Sequence, residues 1–249
     1  MQYKKFAARY LSIPGFSWPE SFAIWDFFLS EQSQAGVAGN LLEIGVYYGQ
    51  SALLLAYHAK VSEHLVLVDP TDFVETARKN VEAAKAENVR IIKARSDDGS
   101  VRNLSQAYGR TFRWVHIDGD HRAEAVLNDL GIADKLLKAK GIICIDDFFS
   151  PRYPGITYAV LQYLQAHPEE LTLVLCGFNK GYLVRPSAAR ACLEAIRHRL
   201  GAWLQALGFN NFTIFKTDVP GILNCFGIQQ RWKDYVHYGL DEDPSQIVY

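Results

Sequence analysis

The 249-residue chain has few cysteines, almost no charge imbalance and no long apolar run. Its four cysteines, Cys144, Cys176, Cys192 and Cys225, include no Cys-x-x-Cys pair, which argues against a zinc site or a redox dithiol. Cys144 falls inside an apolar run and reads as a small core residue. A formal net charge of −1 gives no global attraction to nucleic acid or to an anionic membrane. No stretch approaches the ~20 apolar residues of a membrane-spanning helix. The N-terminal MQYKKFAARYLSIPGF has neither a long apolar segment nor a small-residue cleavage site. A cytoplasmic protein without nucleic-acid or membrane partners is the expectation. Repeats, low-complexity tracts and linkers with a composition break are also missing. The sequence therefore predicts one domain over 1–249: a helical cap at 1–39, a core at 40–185, and a C-terminal helix with an aromatic tail at 186–249.

From residue 41 short apolar runs alternate with amphipathic stretches. LLEIGV (41–46), HLVLVDP (64–70), VRIIKARS (89–96), FRWVHID (112–118) and GIICIDDF (141–148) read as strands. Between them, Phe73, Ala77 and Val81, and then Val126, Leu130, Ala133 and Leu137, recur at helical spacing. Near-continuous apolar strands separated by helices predict an α/β fold, a parallel sheet with helices on both faces. LTLVLCG and GYLVRP are separated only by FNK, too short for a crossover helix, and predict an antiparallel hairpin. A helix is expected at about 187–207, followed by an extended segment and loop in NNFTIFKTDVPGILNCF. The aromatic FSWPESFAIWDFF near the start, and Trp232, Tyr235 and Tyr238 near the end, would either cover a binding site or build an interface in a homo-oligomer.

Four places carry candidate chemistry. In LLEIGVYYGQS a strand runs into a turn with Gly45 and Gly49 four apart, where the backbone can approach a ligand and helix-start amides favour an anion. Tyr47 takes the middle position, so this is not the Gly-x-Gly-x-x-Gly of dinucleotide binders. Glu43 before the turn suits an ammonium better than a pyrophosphate. Asp69, ending the second strand, either accepts from ribose hydroxyls or caps the next helix, with Asp72 competing for that cap. Ser96 and Asp97 either contact an adenine edge or are plain turn residues. Finally, HIDGDH and GIICIDDF end two strands in carboxylates. If those strands are neighbours, Asp118, Asp146 and Asp147 meet at one sheet edge, and three clustered carboxylates call for a cation. An all-oxygen set suits magnesium, manganese or calcium rather than zinc. His121, three residues after Asp118, is either a base beside the metal or a partly exposed turn histidine, with Asp120 and Asp147 then only capping turns.

Together these motifs resemble the class I S-adenosylmethionine-dependent methyltransferases, specifically the metal-dependent O-methyltransferases. LEIGVYYGQSALLLA is similar to the first motif of catechol O-methyltransferases, and HIDGDH with GIICIDDF to enzymes acting on macrolide sugars. The resemblance covers about residues 40–185. It implies a Rossmann-like, mostly parallel seven-stranded sheet whose last pair is antiparallel. It implies that Glu43, Gly45, Gly49 and Ser51 surround the methionine part of S-adenosylmethionine. Tyr47 would lie near the sulfonium, Asp69 would hold the ribose, and Ser96 with Asp97 would frame the adenine. Asp118, Asp146 and Asp147 would bind Mg2+, with Asp118 also near the cofactor, and His121 would be the general base. Catechol enzymes have lysine where this chain has His121, while the sugar enzymes can place histidine there, which favours a less acidic hydroxyl as acceptor. The expected partner is thus a small-molecule hydroxyl acceptor, a sugar or natural-product glycoside. The alternatives are a metal-dependent hydrolase and a non-catalytic nucleoside-binding module.

Overall fold

The computed structural model describes residues 1–82, 84, 86–217 and 221–231. Helices α1 (Tyr3–Ala7) and α2 (Pro19–Gln34) precede β1 (Asn40–Ile44) and α3 (Gln50–His58). Next come β2 (Leu65–Val68), α4 (Phe73–Glu82), β3 (Val89–Ile92), α5 (Gly99–Arg102) and α6 (Leu104–Tyr108). The chain continues through β4 (Phe112–Ile117), α7 (Ala123–Leu136), β5 (Leu137–Asp146) and α8 (Pro154–Ala166). It then runs through β6 (Thr172–Gly177), β7 (Lys180–Val184), α9 (Pro186–Ala195), a π turn at Ile196–Leu200 and α10 (Gly201–Ala206). The strands β8 (Thr213–Lys216) and β9 (Phe226–Gln229) follow.

One sheet contains all these strands in the order β3-β2-β1-β4-β5-β7-β6-β9-β8. The first five are parallel, and β7 enters antiparallel to both β5 and β6. Alternate residues of each strand enter different cores. Trp114, Cys144 and Tyr182 pack on the face covered by α2 and α3, with Phe22, Trp25 and Leu53. Val115, Ile143 and Leu183 pack on the other face, with Val126 and Leu130 of α7 and Val160 of α8. Both faces are buried, which is why the strands read as unbroken apolar runs. Cys144 is a core residue, as its setting in β5 predicts.

Three local readings change. Among the described residues the sheet has nine strands where seven were expected: NNFTIFKTDVPGILNCF supplies β8 and β9, which pair with each other and extend the sheet beyond β6. Phe73 is 39% exposed against Tyr47 and Tyr48, and Val74 takes the buried place on α4 beside Ala77 and Val81. Leu137 ends the α7 stripe as the first residue of β5 rather than within the helix. Among the described residues no helix is long and apolar enough to cross a membrane. Trp232, Tyr235 and Tyr238 lie outside the described residues.

Candidate active site

The parallel strands end on one edge, and the loops that leave them build two adjoining clefts. The smaller, about 290 Å³, is lined by Ile44, Gly45, Val68, Asp69, Pro70, Thr71, Ala94 and Ser96. The larger, about 450 Å³, is lined on one side by Gly15, Phe16, Ser17, Tyr47, Gln50 and Ser51, and on the other by His121, Asp146, Asp147, Arg152, Tyr153 and Asn179. Tyr47 and Asp118 belong to both walls.

Their shared wall is a strained turn. Gly45 at φ 84° lies so close to β4 that a Cβ there would sit 1.8 Å from the Asp118 carbonyl oxygen, and at Gly49 (φ 82°) it would meet Ala77 at 2.8 Å. These glycines therefore serve contacts within the protein, a use the sequence reading assigned to a ligand. Tyr47 between them is also left-handed, at φ 50°. Asp147 and Asn179, on the opposite wall, share that conformation at φ 53° and 65°. Each such residue costs on the order of 1 kcal/mol, so the fold holds both walls against local preference. Asp69 fixes the turn: Oδ2 accepts from the amides of Val46 (2.9 Å) and Tyr47 (3.0 Å), and Oδ1 from the amide (2.8 Å) and hydroxyl (2.6 Å) of Thr71. Thus Asp69 lies in the smaller cleft, but its oxygens are engaged by three backbone amides and the Thr71 hydroxyl.

Glu43 departs further from expectation. It is fully buried, with no exposed surface, and lines neither cleft. Its Oε1 accepts from Ser51 Oγ (2.5 Å) and from His116 Nδ1 (2.7 Å). The ammonium partner expected for Glu43 is replaced by an imidazole of its own chain. Burial alone would lower the pKa of His116, yet Asp146 and Glu43 together hold it above the ordinary histidine value. Ser96 lines the smaller cleft, whereas Asp97 pairs with Arg95 at 3.1 Å and lines neither.

Asp118, Asp146 and Asp147 do reach one edge, because β4 and β5 are neighbours. They do not form a single ligand set. Asp146 is held from two sides: Oδ1 pairs with the ammonium of buried Lys180, and Oδ2 faces His116 Nε2 at 3.8 Å. Burial would raise the Asp146 pKa, but Lys180 and His116 bring it well below the carboxylate range. Asp118 goes the other way, raised well above that range by burial and the neighbouring Asp146 charge. Asp147 turns aside, accepting from Asn179 Nδ2 (2.7 Å) and lying 2.9 Å from His121 Nε2. Ligand atoms of Asp118, His121 and Asp147 lie within 4.8 Å of one another, and an ion there would take the place of the proton shared by His121 and Asp147. The expected Mg2+ set does not fit this arrangement. The dyad is braced by its surroundings: the His121 ring stacks on Tyr153 at 4.1 Å, and Asp147 holds its pKa above the ordinary value.

His116 and Lys180 were missed by sequence reasoning. A histidine inside a strand run looks like core, and a lysine after a turn looks like surface. Only the register of β7 against β5, with Lys180 opposite Asp146, brings that lysine inward.

A Rossmann-like sheet with a reversed β7 and a two-part cleft at its carboxyl edge defines the class I methyltransferase fold. Residues 42–148, from β1 to just past Asp147, match a family described as "Methyltransferase domain". Among solved structures, the O-methyltransferase NovP is 16% identical, covering 67% of this chain and 80% of its own, with TM-score 0.55. A Bacillus cereus O-methyltransferase in complex with SAH is 18% identical over 73% of this chain and 88% of its own, with TM-score 0.52. CalS11, a TDP-rhamnose 3'-O-methyltransferase of calicheamicin biosynthesis, is 15% identical over 65% and 79%, with TM-score 0.52. At these identities the likeness establishes the fold. The uncharacterized protein R132 of Acanthamoeba polyphaga mimivirus is 29% identical over 125 residues, 48% of this chain and 56% of that protein. The chain thus spans about half the length of this curated relative.

Proposed function

We propose that the protein transfers the methyl group of S-adenosylmethionine to a hydroxyl of a small molecule, a sugar or natural-product glycoside. The observation that carries this reading is the pair of clefts meeting at Tyr47 and Asp118, with an imidazole–carboxylate dyad on the far wall of the larger one. The cofactor suits the near side. Apolar Ile44, Val68, Pro70 and Ala94 with Ser96 make a slot for a nucleoside, and α3 begins at Gln50, where helix-start amides favour a carboxylate. When bound, S-adenosylmethionine supplies an already activated methyl sulfonium. The protein's task is then alignment and proton removal.

Asp147 orients His121: with Nε2–H directed to Asp147 Oδ2, Nδ1 is left to accept the acceptor's proton. Tyr153 stacks on that ring and fixes its plane. Phe16, Tyr47 and Tyr153 offer flat faces for an acceptor ring, and Arg152 offers a charge for an anionic substituent. A glycoside acceptor is in keeping with the name of one structural neighbour, a TDP-rhamnose methyltransferase.

Calorimetry with S-adenosylhomocysteine tests the cofactor. Binding is expected, weakened roughly tenfold by Asp69→Ala, which frees the Val46 and Tyr47 amides from their anchor. No binding at millimolar ligand rejects the assignment and reopens the hydrolase reading. A rival form of the same function places a divalent ion on Asp118, His121 and Asp147, favoured by the proximity of their ligand atoms. Turnover that survives a chelator excludes it.

A further inference from the structure

The strand ends that seemed to require a metal already face a cation. We propose that the Lys180 ammonium is the resident counter-ion of this site, neutralising the strand-end carboxylates in place of a divalent ion, so that transfer proceeds without metal. The inference rests on the methyltransferase reading and adds its charge chemistry.

Three observations lead to it. A two-residue turn, Phe178–Asn179, joins β6 to β7, and both residues are left-handed (φ 46° and 65°), the geometry that matches the twist of a tight hairpin. That turn fixes Lys180 as the first residue of β7, and the β5–β7 register sets it opposite Asp146. Its side chain is 2% exposed, so the ammonium is committed to Asp146 and cannot relax into water. Secondly, Asp146 is held on one side by the chain itself: Oδ1 also accepts the Asp147 amide at 2.7 Å, while Oδ2 faces His116 Nε2 at 3.8 Å. Thirdly, a divalent ion bound to Asp146 would enter beside Lys180, and charges of one sign at such range repel strongly in a buried setting. Lys180 lines neither cleft. It is therefore a positioning residue, acting through Asp146.

A lysine that merely packs the hairpin would have no influence on which ions the site admits, and this separates the two roles. The experiment titrates Mn2+ into the S-adenosylhomocysteine-saturated protein and counts bound ions by electron paramagnetic resonance. The wild type is expected to hold none at the site. Lys180→Met leaves Asp146 without its partner and is expected to take up one Mn2+ per chain, with affinity raised at least roughly tenfold. Lys180→Gln, which keeps a donor to Asp146 but no charge, gives the same gain and serves if the methionine variant does not fold. Lys180→Arg keeps the cation and excludes Mn2+. One tightly held Mn2+ in the wild type, or neutral variants that exclude the ion as the wild type does, overturns the proposal. Cofactor calorimetry without Mn2+ keeps the failures apart, since lost S-adenosylhomocysteine binding rejects the methyltransferase reading while the ion count concerns Lys180 alone.

Discussion

His121 shows what one side chain can owe to its neighbour. The Asp147 carboxylate stabilises the imidazolium, so the His121 pKa stands above its ordinary value, with burial opposing. A base acts only when neutral, and the rate should therefore climb with pH through a range higher than that of a free histidine. Asp147→Asn removes the stabilising charge and should move that rising limb to lower pH while lowering kcat. His121→Ala should lose about 10²–10⁴-fold in rate with S-adenosylhomocysteine affinity unchanged. A pH–rate profile identical in wild type and Asp147→Asn would show that the dyad does not carry the proton. His121 and Asp147 were each legible in the sequence as strand-end residues. Their pairing was not, because it depends on the left-handed turn that swings Asp147 away from Asp146. Charge clustering alone called for a metal, and the groups that face the charge, the His116 imidazole and the Lys180 ammonium, come from a strand interior and a distant hairpin.

Among the elements, α7 carries an unusual load. Asp129 is fully buried against the smaller cleft's floor, and burial pushes its pKa up to about 6, with Ser96 and Asn128 pulling it back. The folded state thus holds this proton more tightly than the unfolded chain does. Its contribution to stability falls as pH rises from the ordinary carboxylate range through about 6. Above that pH the full cost of a buried charge remains. Asp129→Asn should raise stability at pH 8 by on the order of 2–3 kcal/mol, with the gain vanishing below ~pH 4. Denaturant melts at the two pH values would measure it, and an equal effect at both would point to packing instead. Helices and parallel strands were easy to read because period and apolar run agree with burial on both faces. The β8–β9 pair was harder to read: TIFK and FGIQ are four residues each, and their strand character comes from pairing with β6 and with each other.

At the scale of the molecule, the N-terminal segment is tied to α3 and to the β6–β7 turn as well as to its own α2, where Asp26 accepts from the amides of Gln2 and Tyr3 (both 2.9 Å). Gln50, at the start of α3, donates to the carbonyls of Tyr10 (3.0 Å) and Ile13 (2.9 Å), and Ser21 donates to the Phe178 carbonyl at 2.7 Å. Phe16, 90% exposed, leans on Tyr47 at 5.8 Å between ring centroids. The sequence placed aromatics near the start but could not say that they would border a cleft, since that follows from a side chain 40 residues away.

The shared wall of Tyr47 and Asp118 has a kinetic consequence. A visitor to the larger cleft meets, across that wall, whatever fills the smaller one. If S-adenosylmethionine completes the floor on which the acceptor rests, the two substrates cannot arrive in either sequence with equal success. The acceptor should bind weakly to the empty protein and tightly once S-adenosylhomocysteine is in place, which calorimetry on an accepted glycoside would register. Equal affinity in both states would mean the clefts are independent. Otherwise the queue is set by architecture, with the methyl donor admitted first and its spent form released last.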